Sequence, residues 1–195
     1  GPVRTGKSTF IKRFMELVVI PEMTDDNEKV RTIDELPQSA DGKTIMTMQP
    51  KFVPNEAARV NLAEGVSANF RLIDCVGYLI DGVSGHTEDG APRLVKTPWS
   101  DSDIPFEEAA EIGTRKVIAE HSTIGVLVTT DGSIGDINRL NYVAAEERVA
   151  RELKEAGKPF VVVLNTTDPD GDATVKLAQK LQEKYATSVI PLDVK

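Results

Sequence analysis

The sequence predicts an α/β fold, a mainly parallel sheet with helices on both faces, and three observations support it. Short apolar runs alternate with amphipathic ones through the second half of the chain, the pattern left by strands buried on both sides and joined by crossover helices. Residues 7–19 repeat apolar side chains at helical spacing directly behind a loop that holds two glycines. That loop, Gly1-Pro-Val-Arg-Thr-Gly-Lys-Ser8, matches G-x-x-x-x-G-K-[ST] at every fixed position.

The pattern has a mechanism. Small residues let backbone N–H groups curl round a nucleotide's phosphates, and the following helix aims its positive end at them. Lys7 neutralises the outer phosphates and the Ser8 hydroxyl binds Mg²⁺. The loop therefore predicts a phosphate-loop NTPase, with Gly1, Arg4, Thr5, Gly6, Lys7, Ser8 and Thr9 as nucleotide contacts. In such folds a buried strand leads into the loop. Because Gly1 comes first here, the expectation is a sheet whose first strand is absent from this chain, and a piece of a longer protein.

At 195 residues the chain suits one domain with a full core. A net charge of −8 argues against a nucleic-acid partner, whose phosphates are bound by basic faces. The single cysteine, Cys75, cannot form an internal disulfide, which suits a reducing cytosol. No apolar run is long enough to span a bilayer, and no signal peptide stands at the start.

In chain order, residues 7–19 form the first helix, with Phe10, Ile11, Phe14, Leu17 and Val18 buried and Pro21 ending it. Residues 22–46 are polar and carry Pro37 and Gly42, which predicts a mobile loop. In phosphate-loop switches this segment supplies a threonine that completes Mg²⁺ coordination and senses the γ-phosphate. Thr47, just before a strand over 48–53, is the first choice and Thr44 the alternative. A short strand over 59–62 precedes an apolar strand that ends in Asp74-Cys-Val-Gly77. Asp74 would reach the Mg²⁺ shell, and Gly77 would offer its N–H to the γ-phosphate. Tyr78 follows, where many GTP-hydrolysing switches place a water-orienting glutamine.

Residues 79–105 read as an irregular functional loop or insertion. His86 and His121, far apart in sequence, and the lone Cys75 predict packing or solvated roles rather than a zinc site. Helices over 106–120, 141–156 and 173–185 alternate with strands over 124–129, 160–164 and 188–192, with Gly157 as a helix stop. The strand over 160–164 runs into Asn165-Thr-Thr-Asp168, at the carboxyl end where such sheets bind ligands. Guanine-specific proteins carry Asn-Lys-x-Asp there. Asn165 and Asp168 match as base contacts, while Thr166 replaces the lysine that covers the base.

Several runs resemble the N-terminal ATPase domain of the stage IV sporulation protein A family: Val3-Arg-Thr-Gly-Lys-Ser-Thr-Phe-Ile-Lys-Arg-Phe, Asp34-Glu-Leu-Pro-Gln-Ser-Ala, Gly42-Lys-Thr-Ile-Met-Thr, Leu72-Ile-Asp-Cys-Val-Gly-Tyr and Glu108-Ala-Ala-Glu-Ile-Gly-Thr-Arg. The similarity spans nearly the whole chain. It implies a fold related to translation-factor GTPases and a switch to ATP. It also implies hydrolysis that drives assembly of a spore-coat scaffold into a polymer on the forespore surface, in the cytoplasm of the mother cell. Partners would then be other copies of the protein, a forespore-surface anchor protein and other coat proteins, reached largely through regions outside this chain. Lys7 and Ser8 would be the phosphate-loop pair, Asp74 the acidic Mg²⁺ partner and Thr47 the γ-phosphate sensor. Many relatives of this fold have asparagine at the fourth loop position, where it helps hold a monovalent cation. Arg4 there would bring its own charge to the bond that breaks, or would pair with Asp34 or Glu35. Two alternatives stand beside this reading: a GTP-hydrolysing regulatory switch, and a nucleotide-binding scaffold with negligible turnover.

Overall fold

The computed structural model describes residues 1–37, 50–83, 85–88 and 90–195. Thr44 and Thr47 lie outside the described residues, as does the start of the strand expected over 48–53.

Behind the loop, α1 (Lys7–Phe14) continues through a π-helical segment (Met15–Val19) into a last turn, α2 (Ile20–Glu22). Pro21 sits inside that turn instead of ending the helix before it, directly after the π-helical segment whose wider turn separates its ring from the carbonyls below. The wider π turn changes which side chains face inward. Ile11, Met15 and Val19, four residues apart, stay in line and are buried, whereas Leu17 and Val18 are exposed. The expected burial of Leu17 and Val18 is thus corrected, because an ideal 3.6-residue period loses phase across a π turn.

The stretch expected as a mobile loop begins with a helix, α3 (Asp26–Asp34). The Asp25 side chain caps it by accepting from the N–H groups of Asn27 and Glu28. Glu35 then ties it to the next strand by accepting from Asn55 N at 2.8 Å and Asn55 Nδ2 at 3.1 Å. The two separate strands expected next are one, β1 (Lys51–Ala63), which pairs antiparallel with β2 (Val66–Asp74). A register shift between Val53 and Ala58 breaks the alternation that a single strand would show in sequence.

Within 79–105 the described residues form two small antiparallel ribbons, β3 (Thr87–Glu88) with β4 (Ala91–Pro92) and β5 (Leu94–Val95) with β6 (Ile104–Pro105). The chain continues through α4 (Phe106–Lys116), a π-helical segment (Val117–His121), β7 (Gly125–Thr130), α5 (Arg139–Glu155), β8 (Phe160–Asn165), α6 (Asp172–Tyr185) and β9 (Val189–Leu192). Strands β7, β8 and β9 form a parallel sheet in that order.

That sheet is covered on both faces, as expected. Leu127, Val162 and Leu164 meet Val149 and Leu153 of α5 and Leu181 of α6 on one side. Val128 and Val163 meet Phe10 of α1 and Val194 on the other. A second cluster joins Ile11, Met15 and Val19 to Val53, Ala58 and Val60 of β1. A buried carboxylate locks the first face: Glu146, 0% exposed, accepts from Thr129, Arg139 and Tyr185, so that β7, α5 and α6 share one fully satisfied network. No described helix is long and apolar enough to cross a membrane.

Candidate nucleotide site

The loop 1–8 lies where the two sheets meet. Pro2 bridges Tyr78 in parallel, and Val3 N donates to Tyr78 O at 2.9 Å. On its other side, an added Cβ at Gly1 would fall 2.2 Å from the Val128 carbonyl oxygen of β7. The loop curls because Arg4 and Gly6 both take left-handed backbone, at φ 58° and 89°. Position 6 has a second reason to be glycine, since a Cβ there would stand 2.5 Å from Asn165 Nδ2. Thr5 is buried and donates from Oγ1 to Pro2 O at 3.0 Å, closing the curl from within. Thr9 follows in the first turn of α1, half-buried.

Of the expected site residues the structure brings Lys7, Ser8, Asp74 and Gly77 together, while Thr47 lies outside the described residues. Ser8 Oγ donates to Asp74 Oδ2 at 2.5 Å, across 66 positions of sequence. Lys7 Nζ donates to Pro2 O at 2.5 Å, folding its ammonium back over the loop. Burial lowers the Lys7 pKa from its ordinary value, with Cys75 and Asp74 acting in the opposite direction. An ammonium so desolvated gains strongly when phosphate oxygens arrive. Gly77 closes over the same point at φ 87°, and an added Cβ would lie 2.1 Å from Gly1 O and 2.9 Å from Lys7 Nζ.

Asn165 reaches the loop from β8, donating from Nδ2 to Thr5 O at 3.0 Å, and it is buried. Its role here is to hold the loop's shape. Asp168, three residues on, is exposed in the turn before α6. Thr166 is buried and turned inward, donating to Asp131 Oδ2 at 2.6 Å. Asp131 also accepts from Ser133 Oγ at 2.6 Å and Ser133 N at 2.9 Å. Burial pushes the Asp131 pKa up, but the Ser133 and Thr166 hydroxyls outweigh it and hold the carboxyl below its ordinary value. Arg4 is exposed and lines a cavity of about 190 Å³ with Gly82, Val83, Ile134, Asp136 and Tyr142. Glu35, one of its expected partners, is engaged by Asn55.

Magnesium fits this donor set. Ser8 and Asp74 place two hard oxygen donors in contact. No cluster of three His, Cys, Asp or Glu side chains gathers among the described residues. One carboxylate and one hydroxyl, with phosphate and water completing the shell, would suit Mg²⁺.

The family model described as Stage IV sporulation protein A, ATPase domain, matches residues 1–195. The chain belongs to this family. It is 57% identical over 194 residues to the Stage IV sporulation protein A of Bacillus anthracis and, again at 57%, to that of Bacillus subtilis (strain 168), covering 100% of this chain and 39% of each relative. Against the Stage IV sporulation protein A of Clostridioides difficile (strain 630) the identity is 55%, over 100% of this chain and 40% of the relative. The chain thus spans about two fifths of the length of these relatives. No solved structure matches it.

Two features of this ATPase-domain family member escaped the sequence reading. Asp131 with Ser133 forms the floor beneath Thr166, and a strand-end Asp-Gly-Ser was its only sequence signal. In sequence Tyr78 stands out only as the residue in place of a glutamine, whereas its phenol is buried and bonded to Glu152 of α5. The two residues are 74 positions apart, beyond any local pattern.

Proposed function

We propose that the domain binds ATP with Mg²⁺ on the loop 1–8 and hydrolyses it. In the whole protein, hydrolysis drives self-assembly of a spore-coat scaffold on the forespore surface, in the mother-cell cytoplasm. The single observation that carries this reading is the hydrogen bond between Ser8 and Asp74, with the Lys7 ammonium folded beside Gly77. A hydroxyl, a carboxylate, a cation and a closely approaching glycine at one point are what a polyphosphate needs, and few other ligands would use all four.

Bound Mg²⁺, held by Ser8, Asp74 and Thr47, would neutralise charge on the outer phosphates. Lys7 exchanges its bond to Pro2 O for phosphate oxygens, so its charge is available without a large conformational search. The Gly77 N–H stabilises negative charge on the γ-phosphate as it is transferred to water. Arg4, at the loop's outer bend, adds positive charge toward the bond that breaks. Asn165 is occupied by the loop through Thr5 O, so base choice falls to Asp168 and the corner around Thr166. Because the Thr166 side chain is spent on Asp131, it offers no aliphatic cover to a base. The preference for ATP over GTP, and against the regulatory-switch reading, rests on membership of the ATPase-domain family.

Phosphate release, ATP affinity and pelletable polymer, measured together on the intact protein, test the proposal. Asp74→Ala should lower turnover by about a hundredfold with a smaller loss of affinity, and polymer should fall with turnover. Thr47→Ala should do the same. Hydrolysis at the parental rate in Asp74→Ala, or unlabelled GTP displacing labelled ATP tenfold better than ATP does, would overturn it.

A further inference from the structure

Tyr78 belongs to two parts of the molecule at once. Its backbone is joined to the start of the phosphate loop, through the bridge to Pro2 and the hydrogen bond from Val3 N to Tyr78 O. Its side chain is 2% exposed and donates from its phenol to Glu152 of α5. The guanidinium of Arg148, one helical turn from Glu152, lies 4.1 Å from the centre of the Tyr78 ring and donates from Nε to Glu152 Oε1 at 3.2 Å. Arg148 is itself gripped by Glu111 of α4 through two bonds of 2.5 and 2.7 Å. The network therefore runs from the phosphate loop through Tyr78 to α5 and on to α4, and each charge in it has an opposite partner.

We infer that Tyr78 is a positioning residue, whose buried phenol fixes the neighbouring Gly77 against Lys7 so that the segment 76–78 stays closed in every nucleotide state. This rests on the reading of the loop as an ATP site. Gly77 needs such an anchor because glycine backbone is intrinsically permissive. It nonetheless packs so closely that an added Cβ would strike Gly1 O and Lys7 Nζ. A regulatory switch releases the equivalent segment when the γ-phosphate leaves. Here the phenol–carboxylate bond and the cation over the ring tie it to α5 through the protein's own side chains. Burial and the bond to Glu152 push the Tyr78 pKa far up, so the phenol remains a donor across the working pH range.

Hydrogen exchange and steady-state hydrolysis on the intact protein test this. Tyr78→Phe keeps the ring beneath Arg148 and deletes only the donor, and Glu152→Gln keeps an acceptor while removing the charge. In the parent, exchange of the Val3 amide and of residues 76–80 should be the same without nucleotide, with ADP and with a non-hydrolysable ATP analogue. In Tyr78→Phe it should quicken at least tenfold without nucleotide and be restored by the analogue. Its kcat should fall about tenfold with KM within twofold, since the cost lies in holding a transition-state contact. Glu152→Gln should show a weaker form of both effects, and the double variant should be no worse than Tyr78→Phe alone. Parental kcat and parental exchange in Tyr78→Phe would overturn the inference, as would exchange in the parent that quickens when ADP replaces the analogue. A parent that hydrolyses no ATP would sink the function proposed above while leaving the nucleotide-free exchange experiment to judge the anchor.

Discussion

The parallel half of the molecule and the antiparallel ribbon half bury their apolar residues in different ways, and the site lies on the seam between them. In β7 and β8 nearly every side chain is enclosed, because α5 and α6 cover one face and α1 with Val194 covers the other. In β1 and β2 only part of one face is enclosed, and Leu62 and Val66 at the hairpin end are exposed. The parallel half supplies a rigid base, with Asn165 of β8 and the Val128 backbone of β7 against the loop. The ribbon half supplies Asp74 at the end of β2. The proposed Mg²⁺ carboxylate is thus carried by the less enclosed half and meets, through Ser8, a loop seated on the more enclosed one.

The largest expected effect breaks the seam itself. Lys7→Ala removes the charge that meets the outer phosphates, and ATP affinity should fall by more than about a hundredfold in equilibrium binding, which corresponds to several kcal/mol of charge-assisted contact. Undiminished affinity would dismiss the loop as the binding site.

A second pair of variants tests the burial contrast along α1 and its π segment. Met15 is 0% exposed and Leu17 is 72% exposed. Met15→Ala should cost about 2–5 kcal/mol in denaturant unfolding, whereas Leu17→Ala should stay within about 0.5 kcal/mol. Equal losses would mean that the helix keeps an ideal period in solution.

Arg4 sharpens the comparison at the loop's outer bend. If its guanidinium supplies the charge that a bound monovalent cation supplies elsewhere, the parent should turn over equally in K⁺ and Na⁺. Arg4→Asn should then be several-fold slower in Na⁺ and partly restored by K⁺. A parent dependent on K⁺, or unchanged turnover in Arg4→Ala, would assign Arg4 to the surface.

The smallest effect concerns acid stability of the parallel half. The folded-state pKa of Asp131 is depressed. Its contribution is therefore present above the unfolded value and is lost as pH falls through the folded one. Asp131→Asn should lower stability at neutral pH by under about 1 kcal/mol, given the screening of a partly exposed group. The difference from the parent should shrink as pH falls below the ordinary aspartate value and vanish once pH passes below the depressed folded-state one. A difference that persists there would point to lost packing rather than lost charge.

The sequence by itself determined the loop 1–8 as a motif, the order of helices and strands from α4 onward, and Lys7, Ser8 and Asp74 as candidates for one site. These were legible because each rests on local pattern: a fixed spacing of glycines around a lysine, or an apolar run that both faces of a parallel sheet demand. Strand ends were met within a residue or so, as for β7 at Gly125–Thr130 and β8 at Phe160–Asn165. One further local signal was legible but unread: Asp25 followed three residues later by Glu28 marks the start of α3, obscured by the charge around it. Only the tertiary structure decided that β1 is one bulged strand, and that a π turn trades Leu17 and Val18 for Met15 and Val19. It alone joined Glu146 to Tyr185 and Tyr78 to Glu152. The physical reason is common to all of these. A bulge, a π turn and a buried polar bond each give up a locally better arrangement for partners that only the folded chain brings within reach, so their energies are set by contacts that no window of sequence contains.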